Sequence, residues 1–382
     1  MDNKETISET LDREREEGGI PPTSDNEESM IPTTTMSDTS NSQVSDIKQS
    51  DIEKETEDVD MEEFDENALF VVENAGNTCY IDSLLMGLLY VESHIDAILK
   101  NAPRNESHVY LQEFIKSTFV DQVRGGKSVL RETMDTMRYI LLNCGWLDYD
   151  GIISQQDVNE FFSFLCGILN INMIEMTKET YSIAGENEKN KLVESIQFIP
   201  LAIPYNEDIK TCPLEKVMVK DMLYDWLYSN EVTVKRTVAH KGVSQELDVD
   251  GLSVYHITNV PEFVALSINR FPTVEKRLDV DVIIQKRLCP FRNTGNPSIK
   301  DIEWHFHAAI CHRGETLKSG HYYTLLCKNT DPLKNDPNDV KWYIFDDLEQ
   351  PCIRKVSMKD PSVISKIKKE CVFLIYTLGF LK

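Results

Sequence analysis

The apolar residues of this chain follow two different periods, and the switch between them limits the possible fold more than any other feature. In the first part of the chain they recur three and four positions apart, which predicts helices from residue 78 onward and over 108–120, 130–142 and 155–169. After another predicted helix near 219–227, short apolar runs predict strands over 263–268, 304–311, 322–327, 342–345 and 372–376. Shorter strands are predicted over 68–72, 196–199 and 232–234. Helices followed by strands indicate an α+β protein with a helical lobe and a sheet lobe.

The distribution of charge also separates the first residues from the rest of the chain. The 382 residues carry a net charge of −24, and −17 of this falls within residues 1–66. That segment has one aromatic residue and 16 serines and threonines, so it buries too little apolar surface to offset the entropy of ordering the chain. We therefore predict a disordered acidic tail over 1–66 and a folded domain over 67–382. We interpret the most acidic part, 51–65, as a solvated linker rather than a docking segment or a phosphorylation target.

The remaining charge excludes several classes of partner. Residues 67–382 carry a net charge of −7, and they contain no basic cluster that would neutralise phosphates. We therefore expect no nucleic acid and no anionic membrane as a partner. No apolar run approaches the roughly 20 residues of a spanning helix. The first residues also lack the apolar segment of a secretory signal, so we expect no secretion.

The cysteines indicate a compartment. There are nine, an odd number, and no two of them form a CxxC pair. This pattern argues against a disulfide framework and against a zinc site built from thiolates. It favours a reducing environment, for which the cytosol and the nucleus are both suitable.

One cysteine stands at the start of the first predicted helix, in the sequence Asn74-Ala75-Gly76-Asn77-Thr78-Cys79. Unpaired backbone N–H groups and the helix dipole stabilise a thiolate at such a position and lower its pKa. The same N–H groups can donate to a developing oxyanion. Asn74 lies across a turn that could fold its amide back towards the sulfur. For a lone cysteine, however, a small buried residue at a helix start is the more common explanation.

A second group of residues could supply a base. His321 follows Gly320, and the run Trp342-Tyr343-Ile344-Phe345 precedes Asp346 and Asp347. Histidine side chains titrate near neutrality, and a carboxylate beside an imidazole fixes its tautomer and orientation. Two neighbouring strands would bring His321 and Asp346 together. The spacing of 25 residues also fits a structural histidine and an acidic turn, and spacing alone favours that simpler explanation.

Taken together, five segments resemble the ubiquitin-specific proteases, which are papain-like cysteine deubiquitinases. The resemblance covers roughly residues 69–380. Its motifs, in chain order, are 76–80 (GNTCY) with 83–85 (SLL), 155–161 (QQDVNEF), 260–261 (VP) with 266–271 (LSINRF), 319–323 (SGHYY) with 342–347 (WYIFDD), and 372–376 (VFLIY). The resemblance implies thumb, palm and fingers subdomains, with helices near Cys79 and Gln155 in the thumb and the strands of His321 and Asp346 in the palm.

The resemblance also implies catalytic roles. Cys79 would be the nucleophile and His321 the general base. Asp346 would orient His321, with Asp347 beside it as a second polar partner. Asn74 would supply the oxyanion-hole side chain. No cofactor would be needed, and the product would be free ubiquitin after hydrolysis of an acyl-enzyme.

For substrate binding, the resemblance places ubiquitin and ubiquitinated proteins as partners. Asp157 and Glu160, three residues apart on one helix face, would meet the arginines of ubiquitin's C-terminal tail. His312, Gly320 and Tyr322 would lie along the substrate channel. Without the motifs, an exposed acidic helix face would be the preferred interpretation of the acidic pair.

The chain departs from the family pattern at three points. Position 82 is aspartate where asparagine is usual, and position 86 is methionine where glutamine is usual. Both lie on the catalytic helix, so hydrogen bonds that hold the active-site loops are expected to differ. The CxxC pairs of a zinc ribbon are missing, so the fingers, within 170–255, must fold without a four-cysteine site.

A histidine-rich run, His305-x-His307-x-x-x-Cys311-His312, suggests a metal site at first sight. Strand alternation would put residues 305, 307 and 311 on one face and residue 312 on the other. We interpret the run as an ordinary strand and predict no metal site.

Two other functions remain open from the sequence. The chain would have the same chemistry if it cleaved a ubiquitin-like modifier with a basic tail. It would be a catalytically inactive ubiquitin-binding module if a catalytic group were missing, but Cys79, His321 and Asp346 are all present. A deubiquitinase is therefore the predicted function.

Overall fold

The computed structural model describes residues 70–147, 151, 153–182, 190–240, 243–291, 299–329 and 340–380. The predicted tail, 1–66, lies outside the described residues. Within them, most helices come first along the chain and most strands come later, as the sequence predicts. The prediction of an α+β fold is confirmed.

Seven α-helices lie in the described residues: α1 Cys79–Leu89, α2 Glu106–Phe114, α3 Asp121–Arg124, α4 Arg131–Asn143, α5 Val158–Ile168, α6 Val219–Tyr228 and α7 Pro361–Glu370. A 3₁₀ helix covers His94–Leu99, and a π-helical segment, Ile115–Val120, joins α2 to α3. The predicted helix over 108–120 is therefore the middle of a longer helical run. The helix predicted from 155 begins at Val158 instead, because Asp157 caps its N-terminus.

Fourteen strands lie in the same residues: β1 Ile174–Ser182, β2 Asn190–Ile196, β3 Ile199–Ala202, β4 Lys216–Met218, β5 Asn230–His240, β6 Val243–Ile257, β7 Phe263–Asn269, β8 Asp281–Ile283, β9 Arg287–Leu288, β10 Ile302–Thr316, β11 Ser319–Asn329, β12 Val340–Phe345, β13 Ile353–Val356 and β14 Cys371–Phe380. A four-stranded sheet has the order β2-β1-β6-β5. An eight-stranded sheet has the order β13-β12-β11-β10-β14-β7-β3, with β9 paired to β10. Strands β4 and β8 form a separate parallel pair.

The eight-stranded sheet is covered on both faces. Along β14, Phe373 and Ile375 point to a core shared with α1, α2, α4 and α5. Leu374 and Tyr376, which alternate with them, point to a second core shared with α6 and α7. The strand that the sequence predicts as the closing one therefore runs through the middle of the molecule, between two apolar cores.

Helix α1 lies at the centre of the first core. All 11 of its residues are buried. It packs directly on β10 and β11, and the hydroxyl of Thr324 donates to the carbonyl of Ser83 at 2.8 Å. Gly87 allows this close approach, because a Cβ there would lie 3.2 Å from Ile310 Cδ1. The helix that begins at Cys79 is thus held tightly against the strand that carries His321.

Two strand predictions are wrong. Residues 70–72 form only an isolated bridge between Val72 and Val129 rather than a strand, and 68–69 lie outside the described residues. The predicted strand over 196–199 is broken at Gln197 and Phe198. There β2 leaves the four-stranded sheet and β3 enters the eight-stranded one. Phe198 packs on Phe373, and Gln197 donates to the carbonyl of Ser163.

No helix among the described residues is long and apolar enough to cross a membrane.

Candidate active site

A tight turn presents Cys79 at the start of α1. Gly76 and Asn77 both have left-handed backbone angles, with φ of 83° and 58°, which glycine adopts freely and asparagine tolerates. The Asn77 amide donates to the carbonyl of Ile153 and ties this turn to the neighbouring loop. Cys79 is the first residue of the helix, as predicted.

The predicted lowering of the Cys79 pKa is wrong for this conformation. Burial is the largest effect that raises the pKa of Cys79 to about 12, ahead of the nearby carboxyl groups. Backbone N–H groups of Tyr322 and of Cys79 itself act in the opposite direction but do not outweigh these effects. The side chain is only 3% exposed, so the sulfur is a protonated thiol at neutral pH.

His321 lies at the start of β11, and Asp346 follows directly after β12, the neighbouring strand. His321 Nε2 lies 2.7 Å from Asp346 Oδ1. Because a carboxylate only accepts, Nε2 carries the hydrogen, and this tautomer leaves Nδ1 free to accept a proton. The predicted meeting of His321 and Asp346 on neighbouring strands is confirmed.

Arg313 makes a second contact with Asp346 that the sequence did not predict. Its Nη2 atom lies 3.0 Å from Asp346 Oδ2, so each carboxylate oxygen has its own donor. Burial raises the pKa of Asp346, but the contact with His321, then the backbone N–H of Leu348 and the charge of Arg313, bring that pKa below its usual value. Arg313 follows His312 on β10, and no motif marks it in the sequence.

Asn74 is held at both ends of its amide. Its Nδ2 donates to Asp347 Oδ2 at 2.6 Å, and its Oδ1 accepts from the backbone of Gly76 at 2.6 Å. These partners fix which amide atom is nitrogen. One Nδ2 hydrogen is bonded to Asp347, and the second remains for another acceptor. Asp347 Oδ1 in turn lies 3.3 Å from His321 Nε2, so Asp347 is the second polar partner that was predicted.

The predicted acidic pair is arranged differently from the expectation. Asp157 precedes α5 and caps it, since its carboxylate accepts from the backbone N–H groups of Asn159 and Glu160. Only Glu160 lies within the helix, so the two do not share a helix face. Asp157 lines a cleft of about 270 Å³ together with Asn159, Phe198, Asn269, Phe271 and Tyr322.

Gln155 connects three of the residues predicted to line the substrate channel. Its Oε1 accepts from the backbone of Gly320 at 3.0 Å, and its Nε2 lies 3.0 Å from His312 Nε2. The ring of His312 packs on Tyr322, with ring centroids 4.7 Å apart. A Cβ at Gly320 would overlap the His312 ring, which explains the glycine. Gln155 belongs to one of the sequence motifs, but the motif alone predicts no role for it.

His312 is a neutral group in this arrangement. Burial, followed by the positive charges of Arg277 and His321, lowers the pKa of His312 to about 4. A neutral imidazole between Gln155 and Tyr322 acts as a packed, hydrogen-bonded spacer rather than as a base.

The histidine-rich run does not lie as strand alternation predicts. Register shifts occur in β10 between Phe306 and Ala308 and again between Ile310 and Cys311. As a result Cys311 packs in the second core, with Tyr323 and Cys371, whereas His307 faces α1. Among the described residues, the one close group of possible metal-ligating side chains is His321, Asp346 and Asp347. That group is accounted for by the contacts above.

A cysteine at a helix start, beside a strand whose histidine is bonded to an aspartate, is the arrangement of a cysteine hydrolase. The family model described as ubiquitin carboxyl-terminal hydrolase matches residues 71–376. The chain belongs to this family, and it is a cysteine deubiquitinase. The papain-like fold, with a helical thumb, a palm formed by the eight-stranded sheet and fingers formed by the four-stranded sheet, is thereby confirmed.

Solved structures give the same fold. A SAGA deubiquitinating module containing Ubp8, Sgf11, Sus1 and Sgf73 bound to monoubiquitin matches with a TM-score of 0.57 and 17% identity, covering 83% of this chain and 70% of that chain. The module bound to ubiquitin aldehyde matches with a TM-score of 0.57 and 16% identity, over 83% and 71%. A yeast module with an Sgf73 variant has a TM-score of 0.54 and 17% identity, over 83% and 70%. A search of curated protein sequences gave no significant match.

Proposed function

We propose that this deubiquitinase cleaves the bond after the C-terminal glycine of ubiquitin with Cys79 as nucleophile, His321 as general base and Asp346 as the group that orients His321. The observation that carries the proposal is the 2.7 Å bond from His321 Nε2 to Asp346, made beside the helix that begins at Cys79. It supplies a correctly protonated base on a strand that packs against the helix of Cys79, in a chain of the appropriate family.

The first half of the reaction forms a thioester. His321 Nδ1 takes the proton of Cys79, and the sulfur attacks the carbonyl carbon of the terminal glycine. The tetrahedral intermediate then collapses, the carbon–nitrogen bond breaks, and the imidazolium returns the proton to the leaving amine. In the second half, His321 takes a proton from water, the hydroxide attacks the thioester, and the proton goes back to the Cys79 sulfur as ubiquitin leaves.

Asn74 and the start of α1 stabilise the negative oxygen that forms at each attack. Asn74 has one amide hydrogen left after its bond to Asp347, and the first backbone N–H groups of α1 have no helical partner. Donors that are held in place before the reaction need no reorganisation when the charge develops. The bonds to Asp347 and Gly76 provide this fixed orientation.

Ubiquitin's tail binds in the cleft lined by Asp157 and Tyr322. The exposed carboxylate of Glu160 and the half-buried one of Asp157 give the arginines of that tail charge-assisted hydrogen bonds. Because burial raises the pKa of Cys79 to about 12, the thiol loses its proton only when His321 takes it. The bound tail brings the scissile carbonyl to the sulfur at that moment.

Single-turnover acylation tests these roles, with a ubiquitin C-terminal amide substrate and each folded variant. Asn74→Ala is expected to slow acylation by ~10²–10³, the usual cost of one oxyanion donor. Asn101→Ala, which removes an amide bonded to the carbonyls of Leu169 and Asn170, serves as the matched control. Acylation by Asn74→Ala at the control rate would remove Asn74 from the mechanism. Parallel assays with ubiquitin-like modifiers measure the preference for ubiquitin.

We further propose that the protein works in a reducing compartment, the cytosol or the nucleus. All nine cysteines are free, and five of them besides Cys79 are buried: Cys166, Cys212, Cys311, Cys352 and Cys371. Fractionation of cells followed by immunodetection tests this localisation.

A further inference from the structure

Asp82 is a buried acid one turn after the catalytic cysteine. It lies on α1 and is 0% exposed. Its Oδ1 accepts from the backbone N–H of Ser83 at 2.8 Å. Its other oxygen, Oδ2, is buried and receives no hydrogen bond from an N–H or hydroxyl donor of the described residues. The same is true of Asp347 Oδ1.

These two oxygens belong to side chains that are close enough to affect each other's pKa. Two carboxylates only accept, so a bond between them requires a proton on one of them. Two ionised carboxylates in contact within a buried site would also repel each other strongly. Such pairs therefore share one proton and titrate together.

The surroundings indicate which of the two acids holds the proton. Asp347 accepts from the Asn74 amide at 2.6 Å and lies 3.3 Å from His321 Nε2, and both contacts favour its ionised form. Asp82 has the backbone N–H of Ser83 and the hydroxyl of Thr78 as neighbouring donors, and no cation forms an ion pair with it among the described residues. Burial, followed by the charge of Asp347, raises the pKa of Asp82 well above its usual range.

The titratable and charged groups around this pair come from every element packed on it. They are Cys79 and Tyr80 on α1, Arg138 on α4, His321 on β11, Asp346 after β12 and Cys352 before β13. The two basic side chains near Asp347 and Asp346, those of His321 and Arg313, both contact Asp346. Among the described ion pairs, neither contacts Asp82.

We propose that Asp82 is a positioning residue that stays protonated and donates a hydrogen bond to Asp347, so that Asp347 holds the Asn74 amide in place for the oxyanion. This inference rests on the function proposed above. The order of bonds is Asp82 Oδ2–H to Asp347 Oδ1, then Asn74 Nδ2–H to Asp347 Oδ2. At position 82, where asparagine is usual, a protonated aspartate thus replaces the side-chain amide as the hydrogen-bond donor.

A consequence follows for the pH dependence of the reaction. When Asp82 loses its proton, Asp347 loses a donor and gains an anion beside it, and Asn74 is no longer held. The added negative charge beside Cys79 also makes its deprotonation harder. The kcat of the wild type is therefore expected to fall at alkaline pH through the titration of the Asp82–Asp347 pair.

Two variants of similar size separate donation from packing. Asp82→Asn keeps an acceptor for Ser83 and a donor for Asp347 but has no proton to lose. Asp82→Leu fills the space without a donor. We expect Asp82→Leu to lower kcat up to ~10²-fold, approaching the loss of an oxyanion donor, with little change in KM. Asp82→Asn should recover most of that loss, and its kcat should no longer fall at alkaline pH. At acid pH, the dependence of kcat on pH should be the same in the wild type and in both variants.

Several results would overturn the proposal: an unchanged alkaline limb in Asp82→Asn, a kcat of Asp82→Asn as low as that of Asp82→Leu, or a kcat of Asp82→Leu close to the wild type. If neither variant folds, infrared spectroscopy of wild-type enzyme with labelled aspartate still decides the question. A protonated carboxyl band that persists at neutral pH is expected, and its absence would refute the proposal. Failure of an electrophilic ubiquitin to label wild-type Cys79 would instead refute the proposed function itself.

Discussion

The eight-stranded and four-stranded sheets of this protein are built in opposite ways. In the larger sheet, Trp304 and Ile310 on β10 are 0% exposed, and helices cover both faces. In the smaller sheet, Leu192 and Val193 on β2 are 57% and 71% exposed. The larger sheet is thus buried between two apolar cores, whereas the smaller sheet exposes apolar side chains to solvent.

The difference agrees with the location of the proposed catalytic residues. His321 and Asp346 are held on neighbouring strands of the larger sheet, and Cys79 begins a fully buried helix packed against it. Catalysis requires such fixed geometry, since small displacements of reacting groups cost large factors in rate. The smaller sheet carries no predicted catalytic residue. Its exposed apolar side chains are suited to contact with a protein substrate.

The largest effects are expected from the groups held on the larger sheet. Cys79→Ser and His321→Ala should each lower turnover by ~10⁴ or more, because nucleophile and base act as one unit. Cys79→Ser should still bind ubiquitin. Steady-state hydrolysis of a fluorogenic ubiquitin substrate measures the loss. The controls are Cys144→Ser and His94→Ala, which alter residues away from the site. Substantial turnover by Cys79→Ser would place the nucleophile elsewhere.

Intermediate effects are expected at the edge of the cleft. Asp157→Asn keeps an N-cap for α5 but removes the charge, and Glu160→Gln removes the charge on its own residue. Each should lower kcat/KM for ubiquitin by roughly 10-fold, the low end for a hydrogen bond to a charged group. Alkylation of Cys79 by a small reagent should be unchanged. Glu113→Gln on α2, also exposed, is the matched control. Equal losses in both assays would indicate misfolding rather than lost docking.

A smaller effect is expected from the acidic segment. Deleting residues 1–60 should leave hydrolysis of a minimal ubiquitin substrate nearly unchanged, because this segment has a disorder-prone composition and contains none of the motif residues. The measurement is kcat/KM of the truncated and full-length proteins. A tenfold loss, about 1.4 kcal/mol at the barrier, would make this segment part of the catalytic unit.

No effect is expected from removal of metal ions. The smaller sheet is held by strand pairing and by the stacking of Trp226 on Tyr255, with ring centroids 4.6 Å apart. A chelator should therefore leave the melting temperature and the turnover as they were. Stoichiometric zinc in the purified protein, together with a lower melting temperature after chelation, would show that the fingers contain a metal site.

Sequence periodicity predicted most helices and the strands of the larger sheet, because burial on one or both faces leaves a strong pattern. It failed where tertiary packing decides. Residues 70–72 look like a strand but pair only at Val72, and the run over 196–199 is divided between two sheets. The register shifts in β10 put Cys311 on the opposite face of the strand from His305 and His307, with which it was expected to lie. No local sequence pattern predicts such a bulge.

Motifs in the sequence indicate the candidate site residues but not their electrostatics. Motifs identified Cys79, His321 and Asp346, and the structure brings the last two together. The pKa of Cys79 could not be inferred from its position at a helix start, because burial outweighs the helix dipole. The contact of Arg313 with Asp346 and the mutual effect of Asp82 and Asp347 on each other's pKa join residues that are far apart in sequence. Only the folded chain shows them.

The central claim is that Cys79, held on the buried helix against the larger sheet, forms the covalent bond to ubiquitin. Reaction of the full-length protein with ubiquitin carrying a C-terminal electrophile tests this claim most directly, with intact mass and peptide mapping as the readout. The account predicts a single added ubiquitin on Cys79 and no adduct with Cys79→Ser. An adduct on another cysteine, such as the partly exposed Cys144, or no adduct on the folded wild type, would contradict it.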